Sequence, residues 1–210
     1  MRLYVKNLIR RIPGAEPLAR AVGLAPDNLR TFLLEMLPKN SLGAEIGVWR
    51  GDFSARLLEV VQPKQLHLID PWKHEPSAMY KYALYGGLTK RGQEEMDRHY
   101  ADVCARFQAQ AARGQVTIHR GFSADVLGQF PDAFFDWVYI DGNHLYEYVK
   151  KDLELSLRKT KPGGFVAGDD YVGGQWWKDG VTKAVDEFAK TQAAELVSLR
   201  DRQFVFRRKS

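Results

Sequence analysis

Two short apolar runs of this chain end in carboxylates: Trp137-Val138-Tyr139-Ile140-Asp141, and Phe165-Val166-Ala167-Gly168-Asp169-Asp170 after the turn Lys161-Pro162-Gly163-Gly164. Runs this short, rich in β-branched and aromatic residues, read as buried parallel strands, with the periodic segment between them as the crossover helix. Such a βαβ unit is right-handed and carries its ligands beyond the carboxyl ends of its strands. The pattern therefore directs Asp141, Asp169 and Asp170 to one pocket. Three carboxylates in one place repel, so they need a cation or several hydrogen-bond donors to stay ionised near neutral pH. An oxygen-ligated divalent metal is the simplest such partner.

The same rhythm runs through the upstream chain, with a strand over residues 43–48, a helix over 52–61 and a strand over 65–70. Residues 71–92 break it with Pro71, Trp72, Pro76, several tyrosines and Gly86-Gly87, a mixture suited to a functional loop or lid. A helix over 93–113, a strand over 116–120, a short helix near Ala124 and the crossover helix over 145–159 complete the alternation. Beyond Asp170 the pattern predicts a helix over 178–190, then a hairpin of 196–199 and 203–207 around Arg200-Asp201-Arg202. The expected architecture is an α/β doubly wound sheet, parallel except for an antiparallel C-terminal edge. Ahead of it, residues 1–40 read as a helical N-terminal extension, periodic from Leu18 to Leu37 and broken at Pro26 and Pro38. The single domain is expected over 41–210.

A chain of 210 residues can bury one substantial core. Its net charge of +5 is spread among acids, apart from Arg10-Arg11 and Arg207-Arg208-Lys209, which reads as a solvated surface and not a nucleic-acid face. Cys104 is the only cysteine, so an internal disulfide and a thiolate metal cluster are excluded, and a reducing, cytoplasmic setting fits. The segment from Met1 to Arg11 is basic and amphipathic but lacks the apolar core and cleavage site of a signal peptide. No segment approaches the roughly 20 apolar residues that cross a bilayer, so no stable membrane insertion is expected. Weak surface attachment through the first helix stays open, as does a homodimer covered by the N-terminal extension.

The first strand runs into Glu45-Ile46-Gly47-Val48-Trp49-Arg50-Gly51, whose glycines let the chain turn tightly and approach a ligand where the next helix starts. A pyrophosphate would call for G-x-G-x-x-G, and Trp49 and Arg50 stand where phosphates want no side chain. A nucleoside without phosphates fits better. Asp70 ends the second strand, where a carboxylate can accept bonds from both ribose hydroxyls. The bland alternative is that Glu45 and Asp70 only cap neighbouring helices.

With these residues the chain resembles the class I S-adenosylmethionine-dependent methyltransferases over residues 41–210: E-x-G-x-x-x-G is their first motif and Asp70 their ribose acid. The resemblance implies a Rossmann-like sheet of order 3-2-1-4-5-7-6 and cofactor contacts from Glu45, Gly47, Gly51, Asp70 and Asp141. It would lay Gly121, Phe122, Ser123 and Ala124 along the adenine and Trp72 over the ribose or adenine face, although Trp72 equally suits core packing. More narrowly, Ile140-Asp141-Gly142-Asn143-His144-Leu145-Tyr146 with Lys161-Pro162-Gly163-Gly164 and Gly168-Asp169-Asp170-Tyr171 is similar to the family that includes macrocin-type sugar O-methyltransferases. Catechol-type O-methyltransferases share its metal logic. By that resemblance Asp141, Asp169 and Asp170 would bind Mg²⁺, and the metal would hold the hydroxyls of a small-molecule acceptor, a sugar or a secondary metabolite.

Methyl transfer from a sulfonium is an in-line displacement that needs the acceptor oxygen positioned and made more anionic. Mg²⁺ on the three acids could do both, whereas a cluster that only hydrogen-bonds substrate and backbone would need no metal. His144, three residues after Asp141, is the first-choice base where catechol-type enzymes carry a lysine; its alternative role is to orient Asp141 or a substrate oxygen. Lys73, His74, Tyr80, Tyr82, Tyr85, Trp176 and Trp177 are expected at the border of the acceptor pocket, as recognition groups or as lid packing. The rival readings are a metal-independent N- or O-methyltransferase and a non-catalytic domain that keeps the nucleoside site.

Overall fold

The structure is a computed structural model that describes residues 30–210. The helical expectation for residues 18–29, and with it most of the N-terminal extension, lies outside the described residues. Leu33–Ser210 forms one compact unit. The helices and strands are α1 (Thr31–Met36), β1 (Leu42–Ile46), α2 (Asp52–Arg56), β2 (Gln65–Asp70), α3 (Gln93–Arg106), α4 (Gln108–Ala112), β3 (Val116–Arg120), α5 (Ser123–Leu127), β4 (Phe135–Ile140), α6 (Tyr146–Lys159), β5 (Thr160–Gly168), α7 (Gly180–Ala189), β6 (Ala194–Arg200) and β7 (Gln203–Arg208). No helix among the described residues is long and apolar enough to cross a membrane.

The seven strands form one sheet of order β3-β2-β1-β4-β5-β7-β6, parallel from β3 to β5 and antiparallel at β7 and β6. This is the doubly wound arrangement expected from the sequence. Register aligns the ends: Ile46 pairs with Ile69 and with Ile140, and Ile140 pairs with Gly168. Every residue just past that line, Gly47, Asp141 and Asp169, therefore falls on one edge together with Asp70. The central strands are buried on both faces, with Leu66, Leu68, Ile69, Trp137, Val138, Tyr139, Val166 and Ala167 all closed to solvent. Against one face α7 lays Val181, Ala184, Val185 and Phe188, spaced at the helical period, beside Phe204 and Phe206 of β7.

Three elements differ from the sequence expectation. β5 begins at Thr160, because Thr160 pairs with Phe135 and the register then shifts between Phe135 and Trp137; the Lys161–Gly164 turn is an irregularity within the strand. The helix expected to Val61 widens to a π-helical stretch over Leu57–Val61 and closes at Gln62, whose φ of 52° is left-handed. The helix expected over 93–113 breaks at Phe107, which leaves helical geometry.

Candidate active site

The site has two halves on the same sheet edge. In the first, Gly47 (φ 87°) leaves β1, and a side chain there would have its Cβ 1.9 Å from the carbonyl oxygen of Asp141. Only glycine passes so close to the neighbouring strand end in a left-handed conformation. The turn it starts aims backbone amides at Asp70: Val48 and Trp49 N–H donate to Oδ2 at 2.9 and 3.0 Å, and Trp72 N–H donates to Oδ1 at 2.7 Å. The Tyr85 hydroxyl also donates to Oδ2. Burial pushes the Asp70 carboxyl up, and the bonds from Tyr85, Trp49, Trp72 and Val48 draw it back without cancelling the rise.

The other cofactor candidates are placed around that turn. Glu45 is buried and accepts a 2.5 Å bond from Ser54 Oγ, which ties β1 to α2. Gly51 (φ 75°) precedes α2, and a Cβ there would run into Phe107. Gly121 N–H donates to Asp70 O at 3.0 Å, so the β3 exit runs beside the β2 end. Ser123 and Ala124 open α5, and Ser123 Oγ donates to Asp152 Oδ1 at 2.5 Å. Trp72 is wholly buried, packs on Tyr100 with ring centroids 5.1 Å apart, and donates its indole N–H to Trp49 O. It offers no ring face to a ligand here, and its packing role explains why an aromatic ring follows this strand.

In the second half Asp141, His144 and Asp170 converge, with one ligand atom from each within 4.8 Å of the others. His144 Nε2 lies 2.7 Å from Asp170 Oδ2 and 3.9 Å from Asp141 Oδ1, and its ring stacks on Trp177 at 4.5 Å. Burial presses the imidazole pKa down, but the bond to Asp170 and the charges of Asp170 and Asp141 outweigh that, and the net direction is up. Arg202 pairs with the other oxygen of Asp170. Asn143 donates to the Tyr80 hydroxyl at 2.8 Å, and Tyr80 packs against Trp176 at 5.6 Å. His144 thus takes the place expected of Asp169 in the cluster.

Asp169 departs from the expected trio. β5 ends at Gly168, and the two aspartates lie in its exit turn. Asp169 turns back into the sheet, where Oδ1 accepts the Asp170 N–H at 2.7 Å and the amide of Gln203, itself bonded through Oε1 to the Tyr139 hydroxyl. Asp170, at φ 63°, swings the other way to His144 and Arg202.

Sequence reasoning missed three polar partners, Arg202, Gln203 and Asp152. Arg202 was visible only as a turn residue, and nothing in its own neighbourhood tells that β7 lies beside β5. Asp152 stands on the buried face of α6 among Val149, Leu153 and Ser156. A charge on the apolar stripe of a helix was the available signal. Burial raises its pKa to about 6, against the opposing pull of Ser123 and Lys151.

Residues 44–171 match the family model described as a methyltransferase domain. No curated protein matches the chain in sequence. Among solved structures, a protein from Corynebacterium glutamicum superposes with a TM-score of 0.64 at 14% identity, over 99% of this chain and 96% of that one. A Staphylococcus aureus protein provisionally assigned as a caffeoyl-CoA O-methyltransferase gives 0.60 at 16% identity, over 100% and 99% of the two chains. The O-methyltransferase TomG of Streptomyces achromogenes, solved with S-adenosylmethionine, gives 0.59 at 18% identity, over 93% and 88%.

Proposed function

The chain belongs to the methyltransferase-domain family, and from that premise we propose that it transfers a methyl group from S-adenosylmethionine to a hydroxyl of a small molecule, a sugar or a secondary metabolite. The observation that carries the reading is the convergence of Asp141, His144 and Asp170 one strand away from the Gly47–Asp70 turn. With β1 between β2 and β4, a nucleoside held at Asp70 would have its reactive end directed toward the strand end that carries Asp141 and His144. The carboxylate of Asp170 orients the imidazole and favours its taking a proton, and Asp141 adds a second negative charge. The acceptor hydroxyl would lose its proton to His144 as its oxygen attacks the methyl carbon and the sulfur leaves with the electron pair of the broken bond. Trp177 covers one face of the imidazole and fixes its plane.

The donor set fits a divalent cation in number and reach, two carboxylates and an imidazole within 4.8 Å. Mg²⁺ would be held by Asp141 and Asp170 and would supply a Lewis acid that fixes and acidifies the acceptor hydroxyl. A second reading has a specific observation behind it: Arg202 already balances the charge of Asp170 and His144 bonds its other oxygen, so the cluster stands without a metal. In that case His144 alone activates the acceptor. Chelation separates the two. Methyl transfer to a panel of diol acceptors should vanish with EDTA and return with Mg²⁺ under the first reading, and turnover indifferent to EDTA would establish the second.

A further inference from the structure

Asp70 receives one hydrogen bond from each of Val48 N–H, Trp49 N–H, Trp72 N–H and the Tyr85 hydroxyl. Three of the four, from Val48, Trp49 and Tyr85, crowd onto Oδ2, and only Trp72 N–H reaches Oδ1. A ribose diol that bonds both carboxylate oxygens must therefore displace a donor on Oδ2, one of these four. Three are backbone amides fixed by the Gly47 turn and by the exit of β2, and they cannot leave without unfolding the strand ends. Tyr85 is the remaining donor and the only side chain of the four.

Tyr85 does not move alone. Residues 78–88 form a compact knob in which Ala83 N–H and Gly87 N–H both bond Tyr80 O, while Gly86 N–H and Leu88 N–H both bond Ala83 O. Gly86 passes so near Tyr80 that a Cβ there would lie 2.2 Å from the Tyr80 carbonyl oxygen, and only glycine permits that approach. Two feet join the knob to the site, Tyr85 on Asp70 and Tyr80 on Asn143 and Trp176. Its outer residues Met79, Tyr82, Leu84 and Leu88 face solvent. Withdrawing one foot therefore disturbs the other, and Asn143 stands next to His144.

We propose that Tyr85 is the latch of the cofactor site: its phenol occupies Asp70 where a ribose hydroxyl would bind, and cofactor loading expels it and shifts the knob away from Asn143. The cofactor thereby opens the acceptor side of the site. Burial first, and then the charge of Asp70, hold the Tyr85 phenol well above its ordinary pKa, so it stays a donor. The proposal rests on the reading of Asp70 as the ribose acceptor.

Calorimetric titration with S-adenosylhomocysteine, on wild type and Tyr85→Phe, tests it together with hydrogen exchange on wild type. Removing the competing phenol should tighten binding about tenfold, the factor set by one hydrogen bond to a charged group. Cofactor product should raise exchange at amides 80–88 in wild type, and those amides should exchange fast in Tyr85→Phe without it. Equal or weaker binding by Tyr85→Phe, or unchanged exchange in wild type, would overturn the latch while leaving the cofactor reading intact. No binding by either protein would overturn both.

Discussion

Asp70 and Asp170 lie on the same sheet edge, yet they are stabilised by opposite means. Asp70 is surrounded by dipoles, three backbone amides and a phenol, with no cation in contact among the described residues. Asp170 is held by the charge of Arg202 and by a bond to His144. The three backbone amides are fixed in place, which suits a ligand that recurs in every turnover. Ion pairs between side chains can exchange partners, which suits an acceptor or a metal that joins and leaves. The difference accords with the proposed reading, in which the β1–β2 half recognises the cofactor and the β4–β5 half carries the chemistry.

The most direct way to break that division is His144→Gln. If the chemistry belongs to the second half alone, turnover should fall by about 10²–10⁴, the contribution of a placed general base. S-adenosylhomocysteine affinity, measured by calorimetry on the same protein, should not change. A parallel loss of affinity would mean that His144 also supports the cofactor half and that the halves are not separable. The converse substitution is smaller in effect. Asp70→Asn should weaken S-adenosylhomocysteine by about 10- to 100-fold, since a bond to a charged group contributes roughly 1.5–3 kcal/mol, with kcat at saturating cofactor little altered. A kcat that collapsed with affinity intact would reverse the assignment.

The two halves also differ in how far they could be read from sequence. The dipole half is local: Gly47, Val48 and Trp49 follow β1 directly, and Asp70 closes β2. A glycine turn and a strand-end acid were enough to place it. Tyr85 was expected only at the border of the acceptor pocket; its bond to Asp70 depends on how the knob folds back, and a tyrosine among tyrosines gives no sign of direction. The charged half is assembled from residues far apart in the chain. Asp141 and His144 were legible as a strand end and a helix start, but Arg202 comes to Asp170 only because β7 inserts between β5 and β6. The same insertion brings Gln203 to Asp169 and removes that acid from the cluster. Adjacent aspartates at a strand end look equivalent in a sequence, and the left-handed turn of the backbone at Asp170 makes them face different partners.

The smallest effect distinguishes buried groups behind each half by their response to acid. His67, on β2, faces His119 with its Nδ1 2.9 Å from His119 Nε2; burial and then the His119 charge lower its pKa to about 4. Asp152, behind Ser123, is raised to about 6. The unfolded chain takes up the His67 proton near pH 6.5 and the folded one only near 4, so this contribution is present above pH 6.5 and is lost as pH falls through that window. Asp152 has the opposite sign. The folded protein takes up its proton near pH 6 and the unfolded chain near 4, so burying the carboxylate costs stability above pH 6, and the cost disappears on acidification. The two offset one another between pH 6 and 4 in the wild type. Asp152→Asn keeps an acceptor for Ser123 and removes the second contribution. It should raise stability at pH 7 by about 1–3 kcal/mol and make the decline between pH 6 and 4 steeper, as read from urea midpoints at pH 7, 6, 5 and 4. A variant less stable than wild type at pH 7, with an unchanged pH slope, would show that the Asp152 carboxylate is held charged by groups other than Ser123 and Lys151.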